Sequence, residues 1–469
     1  MTSAPPEALA GSGTLDIVEY EPYIGPARVQ SIRCAAAPLE GRSWTNINST
    51  CTGGGVAEIL SSLVPLARGA GLDAEWLVIH GDDRFFQTTK KLHNLLQGVD
   101  QPIDLDELNA YLDTIDDNMR ARDVRSDLVV IHDPQPAAAI ATGALFGNVV
   151  WRCHLDTSAP NKMVWRFLLS YINQCAGAIF TDPDFVGPGI QIPTYCIRPC
   201  IDPLAEKNYQ HTRETALDAL GPLLNAHNVD PDRPILAAVS RYDIHKNQAT
   251  ILRAFAKLRE ERHAMPPPYL IFLGNTVADD PEGGAVLEEL RVLANDDPDV
   301  RFWVNVPNND RVVGALMHLA RAFVHISTRE GFGLVVSEAL WQGTPVIGSA
   351  VGGIRQQVID GDTGFLVHPL DVEATAGGIA RLLEDSETAR RLGAKGREHV
   401  RKNFLLPELL RHYLSLLAYY AGAGGLPKSR MNPVTYRERL HAVTPWHPGL
   451  KAPSAAPEPT LSRMATAGS

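Results

Sequence analysis

TREGFGLVVSEALWQGTPVIGSAVGG, residues 328–353, is the stretch around which this 469-residue chain is organised. Just upstream, Ala322-Phe323-Val324-His325-Ile326 is apolar and β-branched enough for a buried strand. Gly331-Phe332-Gly333 permits a tight turn, and a helix is expected from Leu334 to Trp341, stopped by Gly343 with Pro345 beyond it. A helix start offers unpaired N–H groups and partial positive charge, which suits a phosphate or a sugar hydroxyl. Glu330 precedes this helix and Glu338 lies in it, as E-x7-E. Eight residues of regular helix rise ~12 Å, less here because Glu330 is in a loop. Two carboxylates flanking one glycosidic bond sit roughly 5–9.5 Å apart. A wider pair suits the two ends of a nucleotide-sugar, hexose at one and ribose at the other, with hydroxyls donating to both acids. Either glutamate alone reads as a solvated surface acid. The pair, set around Gly-Phe-Gly between strand and helix, reads as the donor half of a nucleotide-sugar site.

Working outward, the length implies more than one domain. Apolar content of 45% and charged content of 21% describe an ordinary globular protein, and a net charge of −11 argues against nucleic acid as a partner. Cys34, Cys51, Cys153, Cys175, Cys196 and Cys200 include no C-x2-C pair, so reduced thiols are expected, not zinc or a disulfide framework. No run approaches a membrane span and no secretory leader is recognisable, which points to the cytoplasm.

Strands alternate with helices in both halves, the pattern of parallel, doubly wound sheets. In the first half, Trp44–Ser49 is followed by a glycine loop that includes Gly54 and Gly55, then by a helix from Val56 to Arg68. That shape suits a phosphate or sugar cradle, although any tight βα turn looks the same. Strands follow at Ala74–His80, Leu128–His132 and Val149–Cys153. Ligands bind beyond the carboxyl ends of such strands, which places His132, Asp133, Gln135, His154 and Asp156 at the candidate edge. His132-Asp133, with Pro134 and Pro136, is equally readable as a rigid turn. In the second half, strands are expected at Ile235–Val239, Tyr269–Leu273, Arg301–Val304, Ala322–Ile326, Pro345–Ile347 and Phe365–Val367. Arg241 and Lys246 follow the first of these, and together they would neutralise a diphosphate; the alternative is a pair of surface cations. Asp-x-Asp occurs at 104–106, 182–184, 297–299 and 360–362, where capping and turn duty is the expected role. No His or Cys set has metal-ligand spacing.

SRYDIHKN (240–247), the 328–353 stretch and DGDTGFLV (360–367) resemble the retaining GT-B glycosyltransferases of family 4. INSTCTGGGVAEILSSLVPL (47–66), HNLLQG (93–98), IHDPQP (131–136), WRCHLDTSAPN (151–161) and IDPLAEKN (201–208) resemble, more narrowly, the trehalose glycosyltransferring synthases. The resemblance runs from about Gly41 to Phe404. It implies a GT-B fold, α/β, with two Rossmann-like domains facing across a cleft. An acceptor domain would span 41–203, completed by a helix at 405–420, and a donor domain 204–404. An extension over 1–40, partly disordered, and a tail over 421–469 would flank them. The resemblance assigns Arg241 and Lys246 to the diphosphate, Glu338 to the ribose, and Glu330 with the backbone of Gly331, Phe332, Gly333 and Leu334 to the donor sugar. Gly54 and Gly55 would close over the phosphates, His154 would meet the transferred sugar, and Asp156 and Gln135 would face the acceptor, beside His132 and Asp133. The implied substrates are a nucleoside diphosphate glucose and a small sugar, with no metal or other cofactor; a homodimer is left open. The implied reaction is transfer of glucose to glucose, giving α,α-trehalose. A trehalose phosphorylase and a family 4 transferase with another small acceptor are the alternatives. Asn247 stands where such synthases usually carry glycine.

Overall fold

The structure, a computed structural model, describes residues 13–51, 54–261, 268–276, 281–422 and 433–434. The disorder expected at the start of the 1–40 extension and most of the 421–469 tail fall on residues 1–12 and on those beyond Gly422, which lie, 433–434 apart, outside the described residues.

Two parallel sheets form the two lobes. In the first, β1 (Ser43–Asn48), β2 (Asp73–Val78), β3 (Val124–His132), β4 (Leu145–Arg152), β5 (Gly177–Phe180) and β6 (Thr194–Cys196) lie in the order β6-β5-β4-β3-β1-β2, with Pro433–Val434 antiparallel on β6. In the second, β7 (Ile235–Val239), β8 (Tyr269–Gly274), β9 (Val300–Val304), β10 (Ala322–His325), β11 (Val346–Ser349) and β12 (Gly364–Val367) lie in the order β12-β11-β10-β7-β8-β9. The strands are near-continuous apolar runs because helices cover both faces: all five residues of β7 and all six of β8 are buried. This is the expected GT-B arrangement. Strand order reverses between β1 and β3 in one sheet and between β7 and β10 in the other. A crevice opens at such switch points; His132 ends β3, and the loops after the other three strands carry Gly54, Lys246 and Glu330.

The chain crosses between lobes twice, side by side. Ile201 N–H donates to Phe404 O at 2.9 Å and Leu406 N–H to Ile201 O at 2.8 Å. The helix Leu406–Tyr420 then returns to the first sheet, where Tyr413 lies against Trp44 with ring centroids 4.7 Å apart and Tyr420 Oη donates to Ala176 O at 3.0 Å. Two elements were not anticipated. Residues 17–39 are largely helical, and Val29, Ile32 and Ala36 of the helix Pro26–Ala36 are buried against the first lobe. Lys162–Ile172 forms a further helix, capped by Asn161.

Among the described residues no helix is long and apolar enough to cross a membrane, and no His, Cys, Asp and Glu side chains are grouped as a metal would need. The Asp-x-Asp pairs do cap and turn: Asp104 shares a capping box with Glu107, Asp182 caps a 3-10 turn, Asp297 receives Asp299 N–H at 2.9 Å, and Asp360 receives Leu366 N–H at 3.0 Å.

Candidate active site

In the second lobe, the turn after β7 and the loop after β10 are joined by Thr328 N–H, which donates to His245 O at 2.8 Å. That bond brings Lys246 to Glu330. Lys246 Nζ lies 2.6 Å from Glu330 Oε2, and the same oxygen receives His325 Nε2 at 2.8 Å and Ser327 Oγ at 3.1 Å. Burial alone would raise the Glu330 carboxyl; the Lys246 charge and the His325 hydrogen bond outweigh it and hold the group well below the usual carboxylate range. Burial, in turn, lowers the His325 ring against the pull of Glu330. The Gly-Gly that closes the 328–353 stretch lets the next turn lie on this loop. Gly352 has φ +49°, and a Cβ there would fall 1.8 Å from Glu330 O.

Asn247 adopts a left-handed conformation, φ 52° and ψ 39°, which asparagine tolerates better than most residues. Its side chain also donates to Ile326 O at 3.1 Å and Pro369 O at 2.7 Å. The departure from glycine at this position therefore preserves the turn and pins it. Arg241 goes elsewhere. Its side chain is 63% exposed, 3.9 Å from Asp243, and its charge falls on His93 of the first lobe, whose pKa is pushed down to about 4 by burial and then by Arg241.

In the first lobe, His154 and His132 stack, with His154 Nε2 3.2 Å from His132 Nδ1, and His132 Nε2 3.0 Å from Asn46 Oδ1. Burial, helped by the Arg152 charge, lowers both rings and takes His132 to about 3, so both are neutral. Asp133, at φ 64°, receives His154 N–H at 2.8 Å, and burial raises its carboxyl to about 7. Gln135 is half-buried just beyond, and Asp156 turns back to accept Ser158 N–H at 3.0 Å.

The lobes meet at these groups. A Cβ on Gly331 would lie 2.2 Å from His154 O, so the loop after β10 rests directly on the end of β4. The helix Gly55–Gly69 begins at Gly54, φ 149°, and a Cβ on Gly55 would be 3.4 Å from Leu334 Cδ1. Two helix starts, one per lobe, thus face each other. Nearby, Arg329 donates to Gln97 O. The expected cleft is closed over along this line. Glu338, 1% exposed, ion-pairs with Lys207 at 2.7 Å, and Lys207 reaches Glu58 at 2.6 Å.

Residues 46–187 match the N-terminal domain of trehalose synthase, and residues 223–399 the glycosyl transferases group 1. The chain is 39% identical to a trehalose synthase from Pyrococcus horikoshii over 415 residues, which is 88% of this chain and 98% of that one. The chain belongs to the trehalose synthase family. A trehalose synthase from Rubrobacter xylanophilus is 38% identical over 417 residues, 87% of this chain and 97% of its own. The α,α-trehalose-phosphate synthase (UDP-forming) from Burkholderia xenovorans, solved with glucose-6-phosphate, superposes with a TM-score of 0.64 at 14% identity, over 80% of this chain and 100% of that one. That likeness is one of fold.

Against this trehalose synthase scaffold, sequence reasoning missed Asn46, Lys207, His325 and Ser327. His325 closes β10 and Ser327 lies two residues on, just before the 328–353 stretch, and two polar residues closing an apolar run were the available signal. Lys207 lies in the IDPLAEKN segment, and nothing local marks it.

Proposed function

We propose that this protein is a retaining glycosyltransferase that moves glucose from a nucleoside diphosphate glucose to free glucose, giving α,α-trehalose. One observation carries the proposal: two helix starts, at Gly55 and Leu334, meet from opposite lobes beside Lys246–Glu330 and His154. Each start presents N–H groups and partial positive charge, so their junction suits a diphosphate with a sugar on one side and a nucleoside on the other. The high identity to trehalose synthases across both lobes supports the choice of sugar.

In this reading the diphosphate lies against Gly54, Gly55 and the N–H groups of Gly331 to Leu334, with Phe332 inside that loop. Lys246 supplies the nearest cation. Arg241, exposed in the structure, swings onto the phosphates when donor arrives. Glu330, kept ionised by Lys246, accepts from the hydroxyls of the donor sugar, and Glu338 accepts from the ribose. His154, neutral and held by His132 and Asn46, meets the transferred glucose. Asp133, Gln135 and Asp156 border the acceptor. The acceptor hydroxyl oxygen bonds to the donor anomeric carbon as the carbon–phosphate oxygen bond breaks. The hydroxyl proton passes to the leaving diphosphate on the same face, so the configuration is retained. Stabilising the departing charge is then the main catalytic contribution. No metal takes part in the reaction as proposed.

The test is to supply UDP-, ADP- or GDP-glucose with glucose and to identify the disaccharide and its anomeric form. Trehalose formed from at least one donor, with turnover unchanged by EDTA, is the expected result. Trehalose cleavage by inorganic phosphate with no use of any nucleotide donor would instead assign a phosphorylase.

A further inference from the structure

Lys207 stands on the segment that carries the chain into the second lobe, and its backbone is locked there. A Cβ on Gly314 would fall 2.3 Å from Lys207 O, so only glycine lets the helix Asn309–Leu319 come this close. Trp341 Nε1 donates to Asn208 O at 2.9 Å, and Gln342 Nε2 to Tyr209 O at 2.9 Å. Lys207 and Glu338 therefore move as one body. Their side chains are 13% and 1% exposed, and Glu338 Oε2 has no hydrogen-bond partner among the described residues. Glu58 is different. It belongs to the first-lobe helix Gly55–Gly69, its side chain is 38% exposed, and it meets Lys207 only because the lobes are together.

A buried carboxylate needs a countercharge, and removing that partner is far more costly than never having built the pair. We infer that Lys207 is a positioning residue, which holds the Glu338 carboxylate in place and aimed for the donor's ribose and, by sharing its ammonium with Glu58, couples lobe closure to donor binding. The inference rests on the reading of Glu338 proposed above.

One ammonium between two carboxylates leaves the cluster a positive charge short. The groups facing Glu58 are Glu338 and Lys207, with Asp310 from the first turn of Asn309–Leu319. Burial, then Glu338, raise the Glu58 carboxyl to about 7 against the pull of Lys207. A carboxyl raised in the closed form favours that form at low pH, and the advantage is lost as pH rises through about 7. Donor binding should therefore weaken from pH 6 to pH 8.5.

The experiment measures binding of UDP, ADP and GDP, and donor KM and kcat, for the wild type, Lys207→Met, Lys207→Arg and Glu58→Gln, with melting curves for each. Lys207→Met is expected to raise nucleotide Kd and donor KM by about 30-fold or more, with a much smaller fall in kcat, and Lys207→Arg to recover part of the loss. Glu58→Gln is expected to abolish the drift of donor KM between pH 6 and 8.5, and it carries the test should Lys207→Met fail to fold. Wild-type affinity in Lys207→Met, or an unchanged drift in Glu58→Gln, overturns the inference while leaving the proposed function standing. A wild type that binds none of the three nucleotides overturns both.

Discussion

Removing the ammonium of Lys246 tests how the second lobe holds its central carboxylate. In Lys246→Met, Glu330 keeps the donors of His325 and Ser327 but loses the ammonium that pairs with it. The two side chains are 18% and 11% exposed, so the pair belongs with buried ion pairs. Breaking such a pair from one side costs roughly 3–5 kcal/mol, and the two surviving hydrogen bonds argue for the lower end, about 3 kcal/mol. For a lobe of this size that corresponds to a fall in melting temperature of about 6–12 °C. Lys246→Met/Glu330→Gln removes the stranded charge as well, so the double variant should recover about 2 kcal/mol relative to the sum of the two single changes. The sign with pH is fixed by the direction of the shift. Glu330 is held low in the folded state, so its stabilising contribution is complete above its ordinary value and is lost as pH falls toward the folded one. Urea unfolding of the four proteins at pH 7 and near pH 3.5 measures this: the wild type should lead Lys246→Met by the full amount at neutral pH and by much less in acid. A coupling below about 0.5 kcal/mol, or a gap that does not narrow in acid, would refute the account.

Gly331→Ala should hold the lobes apart at His154 and lower kcat/KM by about 100-fold with little change in melting temperature, and small-angle scattering should show a larger radius. Asn247→Gly should keep the left-handed turn and most of the activity but lose the bonds to Ile326 and Pro369, at about 1–2 kcal/mol by urea titration; Asn247→Ala should cost more. Asp133→Asn keeps the acceptor for His154 N–H and tolerates the positive φ. Because burial raises the Asp133 carboxyl to about 7, wild-type stability should decline as pH climbs from about 4 toward 7, and the variant should flatten that slope.

The helix Leu334–Trp341 was legible to the residue, because glycine punctuation and an apolar run act locally. The strands were legible for the same reason, as buried parallel strands are short apolar blocks. The ends of β3 and β4 were misjudged toward their starts, where exposed residues such as Arg125 and Phe146 dilute the pattern. The helix Pro26–Ala36 was passed over because its buried Val29, Ile32 and Ala36 sit in a segment whose composition suggests a linker. Within the site, Lys246 and Glu330 were each legible as residues that follow a strand of the second half, but their pairing with one another was not. That Arg241 parts company with Lys246 depends on the 3-10 turn Ile244–Lys246 and on the left-handed Asn247 that ends it, which spacing does not reveal. Glu58, Lys207 and Glu338 are distant along the chain, and their meeting exists only in three dimensions.

The return of Leu406–Tyr420 onto the first sheet has a bearing on how the protein is made. Leu409, Leu410, Tyr413, Leu414, Leu416 and Leu417 are buried, and several cover a sheet synthesised more than two hundred residues earlier. On the ribosome that sheet waits, its apolar face uncovered, until the whole second lobe has emerged. The nascent protein thus has a prolonged window in which chaperones, or aggregation, can claim its first half.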